Sequence, residues 1–242
     1  MLNTSINYPD NPISIIATLL AYCVIAYAAN RIFQSQFQKP PIWKAMAAGL
    51  AGLFAININF PIMGTLIGLP ILPLGAGIAY LWLKNREGGW STYRRFIWLG
   101  FLSNFLFLAF SLLALGLFHV VYPENKPSTY LSNVERAAVV SSVPVPVKYS
   151  LDKESLLKQV HSFKEEKIQS DLWYEQASKR SEAHQRSERF PFLLTGMQSK
   201  WGSNFQPLVF VEKDGKGLLL TNGGKQYYFR TAASILKEDV NK

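Results

Sequence analysis

Residues 96–121, FIWLGFLSNFLFLAFSLLALGLFHVV, form a run of 26 positions without Asp, Glu, Lys or Arg, with Arg94 and Arg95 directly in front. A helix of that length extends about 39 Å, enough to cross a ~30 Å hydrocarbon core with some tilt. Residues 1–121 are similarly apolar and hold seven Lys/Arg and two acids, Asp10 and Glu87. The remaining 18 Lys/Arg and 14 Asp/Glu follow residue 121. This division predicts an α-helical integral membrane protein: a four-span transmembrane domain over 1–121, an extended Pro-containing connector over 122–149 and an extracytoplasmic α+β domain over 150–242.

The four spans are predicted at about 13–33, 42–58, 61–83 and 96–121. Asn11 and Pro12 open the first, since proline suits a helix start. The N-terminal segment has no basic n-region, so the first span reads as a retained helix and not as a cleaved leader. Ala48 and Gly52 give the second a small-residue surface of the kind that lets helices approach closely in lipid. The third carries Gly64 and Gly68 at helical spacing, then Pro70 and Pro73, which remove backbone donors and predict a kink or local unwinding. A kinked structural helix is the favoured reading of these prolines. A transport site at a broken helix is the alternative. Asn104 lies deep in the fourth span and needs a partner, for which an interhelical hydrogen bond is expected.

Basic residues follow spans one and three: Arg31, Lys39 and Lys44, then Lys84, Arg86, Arg94 and Arg95. Short loops rich in Lys/Arg stay in the cytoplasm. The expected topology in the plasma (inner) membrane therefore has loops 31–44 and 84–95 inside, and the N-terminus and the C-terminal domain outside.

In the tail, the Gly- and Pro-free run that follows Ser150 reads as a long helix with Leu157, Val160, Ile168, Leu172 and Trp173 along its apolar side, a candidate partner-binding face that ends at Trp173. The polar stretch 178–189 reads as solvated or frayed. Short β-rich runs follow, separated by Asp214-Gly215 and Asn222-Gly223-Gly224, which predict tight hairpins. A closing helix is expected over 231–239. Pro144 and Pro146 restrict the connector to an extended segment or an edge strand.

Chemistry is sparse. Cys23 is the single cysteine, so an intrachain disulfide is excluded. His161 and His184 would stand about 34 Å apart on one continuous helix, too far to share a metal. Gly215-Lys216-Gly217 and Gly223-Gly224-Lys225 match no phosphate loop and read as turns. No catalytic residue, cofactor or metal is implied. The basicity is topogenic and does not make a nucleic-acid surface. The expected partners are the lipid bilayer and a protein on the outer side, with oligomerisation open. The expected role is presentation of an extracytoplasmic domain for protein–protein interaction, as an accessory or assembly subunit of a cell-envelope system or as a protective, immunity-type factor. A transporter or channel component using the third span is the first alternative, and a membrane enzyme with an outer-surface site near Asn57, Asn59 and His119 the second.

Overall fold

The computed structural model describes residues 11–37, 39–62, 65–86, 88–143, 149–171, 173 and 188–238. The chain forms two compact units, Met1–Phe118 and His119–Lys242.

In the first unit, α1 (Pro12–Gln34) and α4 (Gly89–Val121) are long and apolar enough to cross a membrane. The Asn11 side chain caps α1 by accepting from Ser14 N at 2.8 Å, which satisfies one of the donors that every helix start leaves open. Between these helices lie α2 (Ile42–Leu53), β1 (Ile56–Ile62), β2 (Thr65–Leu72) and α3 (Leu74–Leu83).

This middle segment corrects the expectation of four helical spans. The second span is a helix only as far as Leu53, and the third only from Leu74 onward. At about 18 Å and 15 Å, α2 and α3 are each too short to cross the hydrocarbon core. The reason lies in the run Ile56-Asn57-Ile58-Asn59-Phe60, whose apolar–polar alternation has a period of two and whose residues are poor helix formers. It pairs antiparallel with β2, matching Asn59 with Gly68, Phe60 with Ile67 and Asn57 with Pro70. A hairpin of two edge strands tolerates Pro61 and Pro70, which a helix interior does not. Ile71 has no partner in the register and forms a bulge between Pro70 and Leu72.

The second unit is built on a six-stranded antiparallel sheet in the order β3-β6-β7-β8-β9-β5. Its strands are β3 (Ala138–Ser141), β5 (Lys164–Glu166), β6 (Phe192–Thr195), β7 (Leu208–Val211), β8 (Gly217–Asn222) and β9 (Lys225–Arg230). A separate pair joins β4 (Tyr149–Leu151) to β10 (Leu236–Glu238). The meander β6 to β9 follows the turn chemistry. Gly223 and Gly224 both have positive φ, 56° and 81°, as a two-residue hairpin turn of the primed type requires. One face of the sheet carries Phe192, Leu194, Val209, Val211, Leu218, Leu220 and Phe229, buried against α5 (Pro127–Tyr130) and α6 (Lys153–Gln159) through Tyr130, Leu131, Leu156 and Val160.

Two further expectations fail here. The expected long helix is not continuous: residues 160–169 are not helical, residues 170, 171 and 173 are helical again, and 172 and 174–187 lie outside the described residues. Asp152 caps α6 through Ser155 N at 3.1 Å, the helix ends at Gln159, and Lys164–Glu166 joins the open edge of β9 as β5. The Lys-Glu-Glu-Lys stretch has no apolar side to hold a helix, whereas an edge strand offers a row of unpaired backbone groups. In place of the closing helix expected over 231–239, residues 231–235 form a bend followed by β10, fixed by the fully buried Ile235, and residue 239 lies outside the described residues.

Candidate functional site

The second unit concentrates its buried charge around Glu212, which follows β7 and is only 6 % exposed. Oε2 accepts from the Tyr228 hydroxyl at 2.6 Å and from Arg230 at 2.6 Å, and Oε1 faces Arg189 at 2.7 Å. The second guanidinium nitrogen of Arg230 reaches Asp214 at 2.6 Å. Gly217 is required for this close packing, because a Cβ there would stand 2.0 Å from the Glu212 carboxylate. Burial pushes the Tyr228 hydroxyl above its ordinary pKa, and its bond to Glu212 adds to the rise. Arg230 is held above its ordinary value by its hydrogen bond with Tyr228, and also by Asp214 and Glu212, against an opposing effect of burial.

Arg189 lies over the Trp173 ring, 4.5 Å from its centroid, while Trp173 meets Tyr228 edge-on at 5.0 Å and Phe190 at 5.5 Å. A depression of about 480 Å³ opens here, walled by Trp173, Gln169, Lys167, Arg189 and Arg230. Arg189 and Arg230 share the charge of Glu212, and Arg230 also meets Asp214, so the cluster orders the sheet face and presents an aromatic–guanidinium surface. A carboxylate already holding three donors makes a poor general base.

From Tyr228 a single row of directly opposed residues runs across the sheet. Tyr228 pairs with Leu219, Leu219 with Phe210, Phe210 with Leu193, and Leu193 with Val140. These side chains alternate with the core residues and therefore lie on the face opposite the core. Leu193, Phe210 and Leu219 are half-buried, and Val140 is exposed.

The residues singled out on a single tail helix do not share one. Leu157 is an exposed residue of α6, and Val160, at its C-cap, is in the core. Ile168 follows β5, and Trp173 belongs to the Arg189–Tyr228 cluster. Leu172 lies outside the described residues, as do His184, Pro144 and Pro146. Glu212, Arg189, Arg230 and Tyr228 were not legible as a group. They come from three separate stretches, and only strand register brings them together.

In the first unit, Gly68 and Pro70 sit in β2, Pro73 precedes α3, and Gly64 lies outside the described residues. Asn104 donates to Leu53 O and to Phe101 O, each at 3.2 Å. The α2–α4 crossing is built on glycine, for a Cβ at Gly52 would lie 1.9 Å from Ile97 O and one at Gly100 2.0 Å from Gly49 O. A crevice of about 610 Å³ opens between α1, α2 and α4, lined by Tyr22, Ala29, Met46, Gly49, Leu53 and Phe107 among others. Among the described residues, no three His, Cys, Asp or Glu are grouped to hold a metal ion.

No family model, curated protein or solved structure matches the chain.

Proposed function

We propose that this chain is a multi-pass membrane protein of the plasma (inner) membrane that holds its C-terminal unit outside the cell to bind another protein. The orientation rests on the seven basic residues of loops 31–44 and 84–95. It does not depend on four helical spans. The segment from α2 through β1, β2 and α3 leaves one side and returns to it, so α1 and α4 alone carry the N-terminus and the tail to the same side.

The observation that carries the binding role is the apolar row Val140, Leu193, Phe210 and Leu219 on the face opposite the core, ending at the Trp173–Arg189 cluster. Aromatic and arginine side chains beside apolar surface are what protein interfaces concentrate at their centres. An accessory or assembly subunit of an envelope system fits first, and an immunity-type protective factor second. A role for Glu212 as a general base is disfavoured by the saturation of its carboxylate. A transport reading draws on the crevice between α1, α2 and α4, whose lining holds no Asp, Glu, His, Lys or Arg that would mark an ion or proton path.

The test places a photo-crosslinking residue at Leu219 or Phe210 of the full-length protein in cells, with the core residue Leu220 as control. A discrete adduct from the first two positions and none from Leu220 supports the reading. No adduct from either, with the protein folded and in the membrane, refutes it.

A further inference from the structure

We propose that the turn carrying Trp201 is a second membrane anchor, seating the Trp201 indole in the headgroup region of the outer leaflet beside the exit of α4. Trp201 is 82 % exposed, the most exposed tryptophan among the described residues. It occupies the corner of a tight turn closed by Ser203 N donating to Lys200 O at 3.0 Å, with Gly202 at φ 80° supplying the positive φ that such a turn requires. Lys200 N donates to Thr129 O at 2.8 Å, tying the turn to α5. The indole is thus held outward by a built turn and is not a side chain on a loose loop.

The same turn is fastened to the residues that end α4. The Tyr122 hydroxyl donates to Trp201 O at 2.9 Å. Lys200 Nζ donates to Val121 O at 3.0 Å, satisfying a carbonyl of the last helical turn, and lies 5.6 Å from the centroid of the Tyr122 ring. A tryptophan fixed beside the end of an apolar helix, with a tyrosine and a lysine, has the composition of a membrane–water interface. There the indole body is apolar, its N–H finds water or headgroup oxygen, and the lysine reaches outward. A solitary exposed apolar side chain is ordinary on a protein surface. This one is distinguished by its attachment to the helix terminus. The occupant is the lipid interface, because α4, on the reading above, brings that interface to Val121.

The inference rests on α4 crossing the membrane, and the experiment separates the two. Full-length protein carrying Cys23→Ser and Trp201→Cys is labelled with the environment-sensitive fluorophore NBD and reconstituted into phosphatidylcholine vesicles. A second sample carries Cys23→Ser and Lys216→Cys, on the β7–β8 turn. The Trp201 ring has no described tie to the fold, only its backbone does, so the exchange leaves the turn intact. The expected result is blue-shifted emission at 201, quenched more by lipids with a nitroxide near the headgroup than by lipids with one deep in the chain. The label at 216 is expected to emit as in water and to escape both quenchers. Unshifted, unquenched emission at 201 in protein that floats with the vesicles overturns the anchor and leaves the membrane reading standing. Protein that fails to float overturns both. A shift that disappears at one copy per vesicle assigns the turn to a contact between copies and also overturns the anchor.

Discussion

The Asn104 side-chain amide donates to the carbonyl of Leu53, the last residue of α2, at 3.2 Å. On the next residue, Phe54 O accepts from Gly75 N at 2.8 Å. The last carbonyls of any helix lack intrahelical partners, and an apolar surrounding offers no water to replace them. These two bonds therefore allow α2 to stop where β1 begins. Asn104→Leu keeps the size and removes the donor, at a cost of about 1 kcal/mol. The measurement is the unfolding midpoint of the full-length protein in detergent. Gly116→Ala on the same helix, where a Cβ meets nothing within 4 Å, is the neutral control. Equal midpoints for both variants would remove Asn104 from this role.

Around Glu212 the direction is equally definite. Glu212→Gln keeps the shape and deletes the charge that Arg189 and Arg230 share. Both guanidinium groups retain some access to water, so the loss belongs at the lower end for a charged hydrogen-bonded pair, about 1–3 kcal/mol. Glu212→Ala should cost more, because it also empties the space over Gly217. Thermal unfolding of the two variants against the parent chain checks the order. An unchanged Glu212→Gln protein would mean that the cluster is held by its aromatic packing alone.

How much of this was legible in the chain depends on where each signal resides. The apolar helices α1 and α4 are written in composition and length, and the tight turns at Asp214-Gly215 and Asn222-Gly223 in backbone chemistry that few residues share. The hairpin β1–β2 is hidden by the apolarity of the segments on either side of it, which gives 42–83 the overall composition of two membrane spans. The alternation of Ile56, Ile58 and Phe60 with Asn57 and Asn59 was present in the sequence. The strand Lys164–Glu166 was not, since three charged residues carry no β signal and are recruited by the open edge of β9. Glu212, Tyr228 and Arg230 could be joined only through register, which a sequence of short strands does not disclose.

Glu124 gives the second unit a pH dependence of known sign. Burial alone would raise its carboxyl pKa. Hydrogen bonds from Lys225 at 2.7 Å and Tyr227 at 2.6 Å, with the charges of Lys225 and His119, outweigh burial and hold it below the ordinary 4.5. A carboxyl whose folded pKa is depressed contributes stability that is fully present above the unfolded pKa and is lost as pH falls through the folded one. The melting temperature of the parent chain should therefore fall more steeply on acidification below about pH 4.5 than that of Glu124→Gln. Parallel curves would show that the Glu124 contacts add nothing to stability.

The last prediction concerns the hairpin, whose reach can be bounded. α2 contributes about 18 Å and the seven residues of β1 about 23 Å, together more than the ~30 Å core. An isolated hairpin leaves open edges that hydrocarbon does not tolerate, so its turn end is expected to emerge into water, with Pro61 and Pro70 lessening the number of unpaired donors below it. On the proposed orientation that water lies outside the cell. Ile62→Cys in a Cys23→Ser background should react with an impermeant thiol reagent on intact cells, as should Lys216→Cys, while Arg86→Cys should react only after lysis. Reaction at 216 without reaction at 62 would make the middle segment a re-entrant excursion and leave the tail outside. Reaction at 216 only after lysis, with 86 open on intact cells, would invert the whole arrangement, because the number of crossings between the two positions is odd in either case.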